Sequence, residues 1–201
     1  MLAKIPVRQL AAISLLVATA ASVRIGMNWT ALAVTIPIYG VLVKIGLTET
    51  LTFVSGFVFG PVQGFITGLL IIVVSDLFTL AGLWTPFIAV IIGMLGLVGG
   101  LLRRFKANPS TVFLGATAVA LTMISELLQN MWFAWYMWAF YMPETPFGTI
   151  LGTVLVGGVT STVTALINNV VLLMAVAPTI IRALREMVMP KALVEEKAVQ
   201  S

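Results

Sequence analysis

The chain has 201 residues, of which 60% are hydrophobic and 9% are charged. A soluble domain of this length cannot bury so much apolar surface, whereas a bilayer solvates it directly, so the composition excludes a soluble protein. The net charge of +4 does not indicate nucleic-acid binding, because the basic residues lie at the ends of apolar runs. Cysteine and histidine are absent, so we expect no disulfide, no metal, no cofactor and no catalytic residue.

Apolar runs separated by turn-forming residues predict six membrane-spanning helices. A helix needs about 20 residues to cross the hydrocarbon core, so the chain has room for about six crossings and no soluble module. We therefore predict an all-α membrane protein that forms one integral membrane domain over 1–201. The predicted helices are 7–24, 48–59, 62–80, 86–102, 112–138 and 149–180, followed by a cytoplasmic tail over 181–201.

The N-terminal quarter of the chain is the hardest to assign. Lys4 and Arg8, an apolar stretch and the small residues at 18–20 have the form of a secretory signal. We interpret this segment as a retained first helix. Residues 25–47 are apolar, but they contain the helix-opposing stretch IPIYG at 36–40. We predict an ordered loop or short hairpin there, over the outer face of the bundle.

The basic residues indicate how the bundle is oriented. With both termini cytoplasmic, nine of the eleven basic residues lie inside, as the positive-inside rule requires. These nine are Lys4, Arg8, Arg103, Arg104, Lys106, Arg182, Arg185, Lys191 and Lys197. Arg24 and Lys44 lie outside, where they would attract an anionic part of a substrate. We therefore predict a multi-pass protein with an even number of crossings.

Four glycines recur every fourth residue around a proline: Gly56, Gly60, Gly64 and Gly68, with Pro61 after the second. Gly60 and Pro61 predict the end of one helix and the start of the next, since a first-turn proline loses no helical hydrogen bond. Small residues at this spacing also allow close approach of a neighbouring helix in lipid. We therefore interpret these residues as a structural turn and packing motif.

The segment FVFGPVQGFITGLLIIVVSDL at 57–77 resembles a signature of the S components, the substrate-binding membrane subunits of energy-coupling factor (ECF) vitamin transporters. The family pattern is an apolar residue, Phe or Leu, then G-P-x-x-G-x-x-x-G and a later Asp-Leu pair. The preceding TIPIYGVLVKIGLTETLTFVSG at 35–56 resembles the first loop and second helix of that family. The resemblance implies a prokaryotic cytoplasmic membrane protein that binds a vitamin-like molecule and works with a membrane coupling subunit and two ATPase subunits.

The first helix departs from the family pattern. The family usually carries an Ala-x-x-x-Ala face that docks on the coupling subunit, whereas this chain has Ser14, Ala18 and Ser22 at that spacing. Small side chains at these positions still allow close helix contact. The resemblance therefore implies partner docking through these three residues.

Two acidic residues lie within predicted spans, where ionisable groups mark a functional or paired site. Asp76 lies near the outer end of its helix, where it either contacts substrate or pins the loop 80–86. Glu126 shares one helical stripe with Asn130 and Phe133, beside Tyr136. A stripe with polar and aromatic parts suits a flat, hydrogen-bonding ligand, although the same residues would also serve as a polar clamp between helices.

Other polar and aromatic residues are weaker candidates for substrate contact. Trp84 in the short outer loop and Tyr39 in the first loop lie where a ligand would be held. Resemblance to S components favours Asn168 over Asn169 as a substrate contact from the last helix. The tryptophans at 132, 135 and 138 lie largely on the side of the helix away from Glu126, which favours a role as interface anchors.

The leading hypothesis is a substrate-capture subunit of an ATP-driven importer. The chain has no G-x-x-x-x-G-K-[ST] motif, so ATP hydrolysis would belong to partner subunits. Two alternatives remain open at this point: a non-transport scaffold or assembly subunit whose polar groups only clamp helices, and a stand-alone secondary carrier. The carrier hypothesis is weakened because no inverted repeat is obvious.

Overall fold

The computed structural model describes residues 6–33, 47–79 and 81–188, and within these ranges every regular element is helical. The helices are α1 (Val7–Ala33), α2 (Leu47–Phe59), α3 (Pro61–Phe78), α4 (Trp84–Phe105), α5 (Thr111–Phe140) and α6 (Phe147–Val188). All but the 13-residue α2 are long and apolar enough to cross a membrane. The prediction of an all-α chain with six helices is confirmed for the described residues.

Helix α1 is longer than predicted. It continues to Ala33, so the prediction of a loop is wrong for residues 25–33. The physical reason is that proline, the strongest helix breaker, is absent from residues 25–33 and next occurs at Pro37. The rest of the predicted loop, including Tyr39 and Lys44, lies outside the described residues.

A single residue separates α2 from α3. Gly60 has a φ of +118°, a conformation that other residues rarely adopt, and Pro61 is the first residue of α3. Glycine pays no steric penalty at such a φ, and a proline in the first turn loses no helical hydrogen bond. The turn therefore lies where the Gly-Pro pair predicts it.

Glycines bring the backbones of α2, α3 and α4 into direct contact. A methyl group added at either Gly56 or Gly64 would overlap the carbonyl of Gly96. A methyl carbon added at Gly68 would lie 2.8 Å from the backbone nitrogen of Gly93. Because lipid provides no hydrophobic drive between helices, contact of this kind is a main source of cohesion in a membrane bundle. The three helices form one tightly packed layer.

Helix α6 is also longer than predicted and contains one turn of π-helix at Leu172–Val176. Its last segment, Ala177–Val188, buries Ala177, Ile181 and Leu184 against the main hydrophobic cluster. Their spacing of four and three residues forms one apolar stripe. The predicted end at 180 and the tail from 181 are therefore wrong up to Val188.

The first and last helices meet at the same end of the bundle as the α2–α3 turn. Near the start of α1, Gln9 donates a hydrogen bond to the carbonyl of Phe59 at 3.4 Å. Near the end of α6, the Arg185 guanidinium lies 5.7 Å from the ring centroid of Phe57. Arg185 also donates to the carbonyl of Ala107 in the α4–α5 loop at 2.6 Å. Helix α1 therefore begins, and helix α6 ends, at one end of the bundle.

Candidate functional site

A cavity of about 370 Å³ lies between α4, α5 and α6. This volume falls in the range of small-molecule binding sites. Helix α5 supplies most of the wall. The lining residues are Trp84, Ile88, Glu126, Gln129, Asn130, Trp132, Phe133, Tyr136 and Ser161. Five of the predicted substrate-binding residues are therefore brought together here: Trp84, Glu126, Asn130, Phe133 and Tyr136.

One edge of the cavity is polar. Glu126 is 5% exposed, so this residue is largely buried. Gln129 donates to the hydroxyl of Ser125 at 3.0 Å, which orients its amide. The amide of Asn130 lies against Gly158 of α6, where an added methyl carbon would be 3.1 Å from the Asn130 oxygen. The small residue on α6 therefore leaves room for a hydrogen-bonding group at this edge.

Another part of the cavity wall is aromatic. Trp132 and Tyr136 stack with ring centroids 5.3 Å apart and an interplanar angle of 13°. Phe87 of α4 also stacks with Trp132, with ring centroids 5.3 Å apart, and Tyr136 lies 5.2 Å from Phe140. Aromatic faces of this kind favour offset stacking with a planar ligand. The site thus combines a flat apolar wall with a short polar edge.

The interpretation of Trp132 as an interface anchor facing away from Glu126 is wrong, because both residues line the same cavity. The cavity is bounded by α4 as well as α6, so it takes in more than one stripe of α5. Ile88 of α4 was also missed, although it lies one helical turn after Trp84. Trp135 and Trp138 are 47% and 37% exposed and do not line the cavity.

Asp76 lies outside this cavity and is engaged by two other helices. One carboxylate oxygen pairs with the guanidinium of Arg24 at 2.9 Å, and the other accepts a hydrogen bond from Thr85 at 2.7 Å. The side chain of Asp76 is 2% exposed. Arg24, which the sequence places at the mouth as an attractant for anions, is therefore paired with a carboxylate.

The two asparagines of α6 differ in their surroundings. Asn168 is half-buried and does not line the cavity. Asn169 is 4% exposed and donates to the hydroxyl of Thr122 on α5 at 2.9 Å. Among the residues that the structure describes, its side-chain oxygen has no hydrogen-bond partner. Asn169 and Glu49 both line a second cavity of only about 10 Å³, and such a space fits one water molecule.

Ser14, Ala18 and Ser22 lie along one exposed face of α1, on the side away from the bundle core. The neighbouring Leu10 and Leu15 are 55% and 60% exposed. This face is therefore available to lipid or to another membrane helix.

The polar and aromatic side chains of the cavity are suited to binding a ligand. They combine stacking surfaces with hydrogen-bonding groups, which together recognise a flat ligand that has a polar edge. In the described ranges, no group of three acidic side chains comes together in a way that would hold a metal ion.

The family model described as "ECF-type riboflavin transporter, S component" matches residues 4–181. Neither the curated proteins nor the solved structures include a match to the chain.

Proposed function

The chain belongs to the family of ECF-type riboflavin transporter S components, and from that premise we propose that it captures riboflavin or a close flavin relative in the cavity between α4, α5 and α6. It is a substrate-binding component of a membrane transporter and not an enzyme. We choose this cavity because it combines an aromatic wall and a polar edge in one space of about 370 Å³.

The chemistry of a flavin matches this pairing. Its three fused rings are flat and apolar over most of their faces, so they would stack on Trp132 and Tyr136. Its imide edge and its polyol chain carry donors and acceptors, which Glu126, Gln129 and Asn130 would meet. A purely apolar ligand would make none of these hydrogen bonds, so the polar edge favours a ligand with hydrogen-bonding groups.

We place both termini on the cytoplasmic side and the cavity near the outer face of a prokaryotic cytoplasmic membrane. Support comes from the end of the bundle where α1 begins and α6 ends, since Arg103, Arg104 and Arg185 lie there. Basic residues concentrate on the cytoplasmic side of membrane proteins. Trp84, at the start of α4, belongs to the opposite end.

We propose that delivery requires a membrane coupling subunit and two ATPase subunits, and membership of a family of ECF transporter S components supports a need for partners. The exposed face of α1 that carries Ser14, Ala18 and Ser22 supports docking on the coupling subunit, because small side chains let two helices approach closely in lipid.

The proposal is tested with purified protein in detergent or nanodiscs and a titration of riboflavin, read by quenching of flavin fluorescence. We expect saturable binding of one flavin per chain, and no binding of thiamine or biotin under the same conditions. A protein that folds and binds none of the flavins would contradict the proposal and favour the scaffold alternative. Flavin uptake driven by an ion gradient without ATPase partners would favour a secondary carrier.

A further inference from the structure

A chain of polar contacts leads from α1 across α3 to the first turn of α4. It begins at Arg24, which donates from Nη2 to Asp76 at 2.9 Å and from Nε to the hydroxyl of Ser75 at 2.8 Å. Charge-assisted hydrogen bonds of this kind are roughly twice as strong as neutral ones. The Arg24 side chain is partly exposed and the Asp76 side chain is buried. Arg24 therefore forms the outer end of the network, on α1.

The network continues into the loop between α3 and α4. Thr85 donates its hydroxyl proton to Asp76 at 2.7 Å, and the same hydroxyl oxygen accepts a hydrogen bond from the backbone N–H of Gly82 at 3.2 Å. Thr85 is buried. The loop backbone at Gly82 is therefore fixed to α3 through one side chain of α4.

The last contact of this network reaches the wall of the cavity. The indole of Trp84 lies directly over Gly82, so that a methyl carbon added there would be 2.5 Å from the six-membered ring. Trp84 lines the cavity, whereas Arg24, Asp76 and Thr85 do not. The indole therefore rests on a piece of backbone whose position is set by Thr85 and, behind it, by Asp76.

We infer that Arg24, Asp76 and Thr85 are positioning residues that hold Trp84 in place as a wall of the flavin cavity, an inference that rests on the proposed function. A wall that is already fixed needs no ordering when the ligand arrives, and such preorganisation raises affinity without any new ligand contact. The carboxylate of Asp76 thus acts on the substrate through Thr85, Gly82 and Trp84.

The test is a double-mutant cycle in full-length protein, with riboflavin affinity measured by fluorescence quenching. Thr85→Val is expected to weaken binding about tenfold, and Thr85→Ser, which keeps the hydroxyl, to stay within about twofold of wild type. In the Trp84→Ala background, Thr85→Val should have little further effect, because a residue that acts through another shows non-additive coupling. Thr153→Val is the matched control, since Thr153 is exposed on α6 and bonds only to the carbonyl of Thr149.

Gly82→Ala gives a second and independent perturbation, because it displaces the indole without removing any hydrogen bond. We expect about tenfold weaker binding here as well, so the test remains decisive even if Thr85→Val fails to fold. Full affinity in both Thr85→Val and Gly82→Ala would overturn the inference. So would equal losses from Thr85→Val with and without Trp84, because Thr85 would then act independently of the indole. Absence of flavin binding by the wild-type protein would instead overturn the proposed function, and the inference with it.

Discussion

The two sides of α4 contrast in how they meet their neighbours. Toward α2 and α3, glycines such as Gly93 and Gly96 bring backbones together and leave no free volume. Toward α5 and α6, large side chains such as Trp132 line a cavity of about 370 Å³. The Gly-Pro signature lies entirely on the packed side. The glycines and the proline of this motif therefore determine how helices pack, whereas the proposed flavin cavity is lined by α4, α5 and α6.

The largest effect is expected on the packed side, from Gly64→Ala. The added methyl group would overlap the backbone of α4, which cannot move aside as a flexible side chain can. We expect a loss of about 3 kcal/mol of stability. It would be seen as a lower temperature at which half of the monodisperse protein is lost. Gly152→Ala is the matched control, since nothing lies within 4 Å of an added methyl group there. Equal stability of the two variants would mean that the glycine contacts do not hold the layer together.

On the cavity side, Glu126→Ala is expected to leave the fold intact and to weaken riboflavin binding by roughly 30-fold. Loss of a buried hydrogen-bonding group costs about 1–3 kcal/mol. Glu126→Gln keeps an acceptor oxygen, so it should lose less riboflavin affinity than Glu126→Ala if hydrogen bonding rather than charge determines binding. Glu144→Ala, at an exposed position in the α5–α6 loop, serves as the control for removal of a carboxylate. An unaltered titration curve for Glu126→Ala would remove this residue from the site.

Two tryptophans on the same helix offer a finer comparison. Trp132→Ala removes a ring that lines the cavity and should weaken binding up to about tenfold, as expected for the loss of one stacking partner. Trp135→Ala removes a ring of the same size that is 47% exposed, and we expect its riboflavin affinity to match wild type. Comparable losses in the two variants would indicate a general effect on α5 instead of contact with the flavin.

The smallest effect on riboflavin affinity is expected from Ala18→Trp on α1. This position is exposed and remote from the cavity, so binding should change by less than about twofold. Docking on the coupling subunit should fail, however, because the large ring prevents close helix contact. The two readouts are the titration of the isolated chain and co-purification with coexpressed partner subunits. Val119→Trp on the exposed face of α5 is the control, and a complex that forms equally well with both variants would exclude α1 from docking.

Much of the helical framework could be predicted from the sequence, because membrane-spanning helices are identified by the length and hydrophobicity of their apolar runs. The Gly60 turn was predictable for a similar reason, since few backbone conformations suit glycine followed by proline. Helix ends were harder to predict. The extension of α1 to Ala33 depends on the absence of a helix-breaking residue. The extension of α6 to Val188 depends on an apolar stripe of side chains that packs against the main hydrophobic cluster.

The site was predictable only as far as one helix defines it. The stripe of α5 through Glu126, Asn130 and Phe133 follows from helical periodicity. The contributions of Ile88 and Trp132 depend on which helix lies beside α5, and periodicity within one helix does not contain that information. The partner of Asp76 was missed for the same reason, because Arg24 is distant in sequence and meets it only in the folded bundle.

The π turn in α6 has a consequence for how this helix tolerates change. At its start the N–H of Leu172 is shared between the carbonyls of Asn168 and Asn169, and the wider turn accommodates one residue more than an α-helix would. The two halves of the helix are thereby out of phase by about 100°. Deleting a single residue from Leu172–Val176 would therefore restore a regular α-helix and keep Ile181 in its apolar stripe. Deleting a residue elsewhere in α6 would instead rotate the following residues by about 100° relative to the preceding ones. This turn is thus a place where α6 tolerates the loss of one residue.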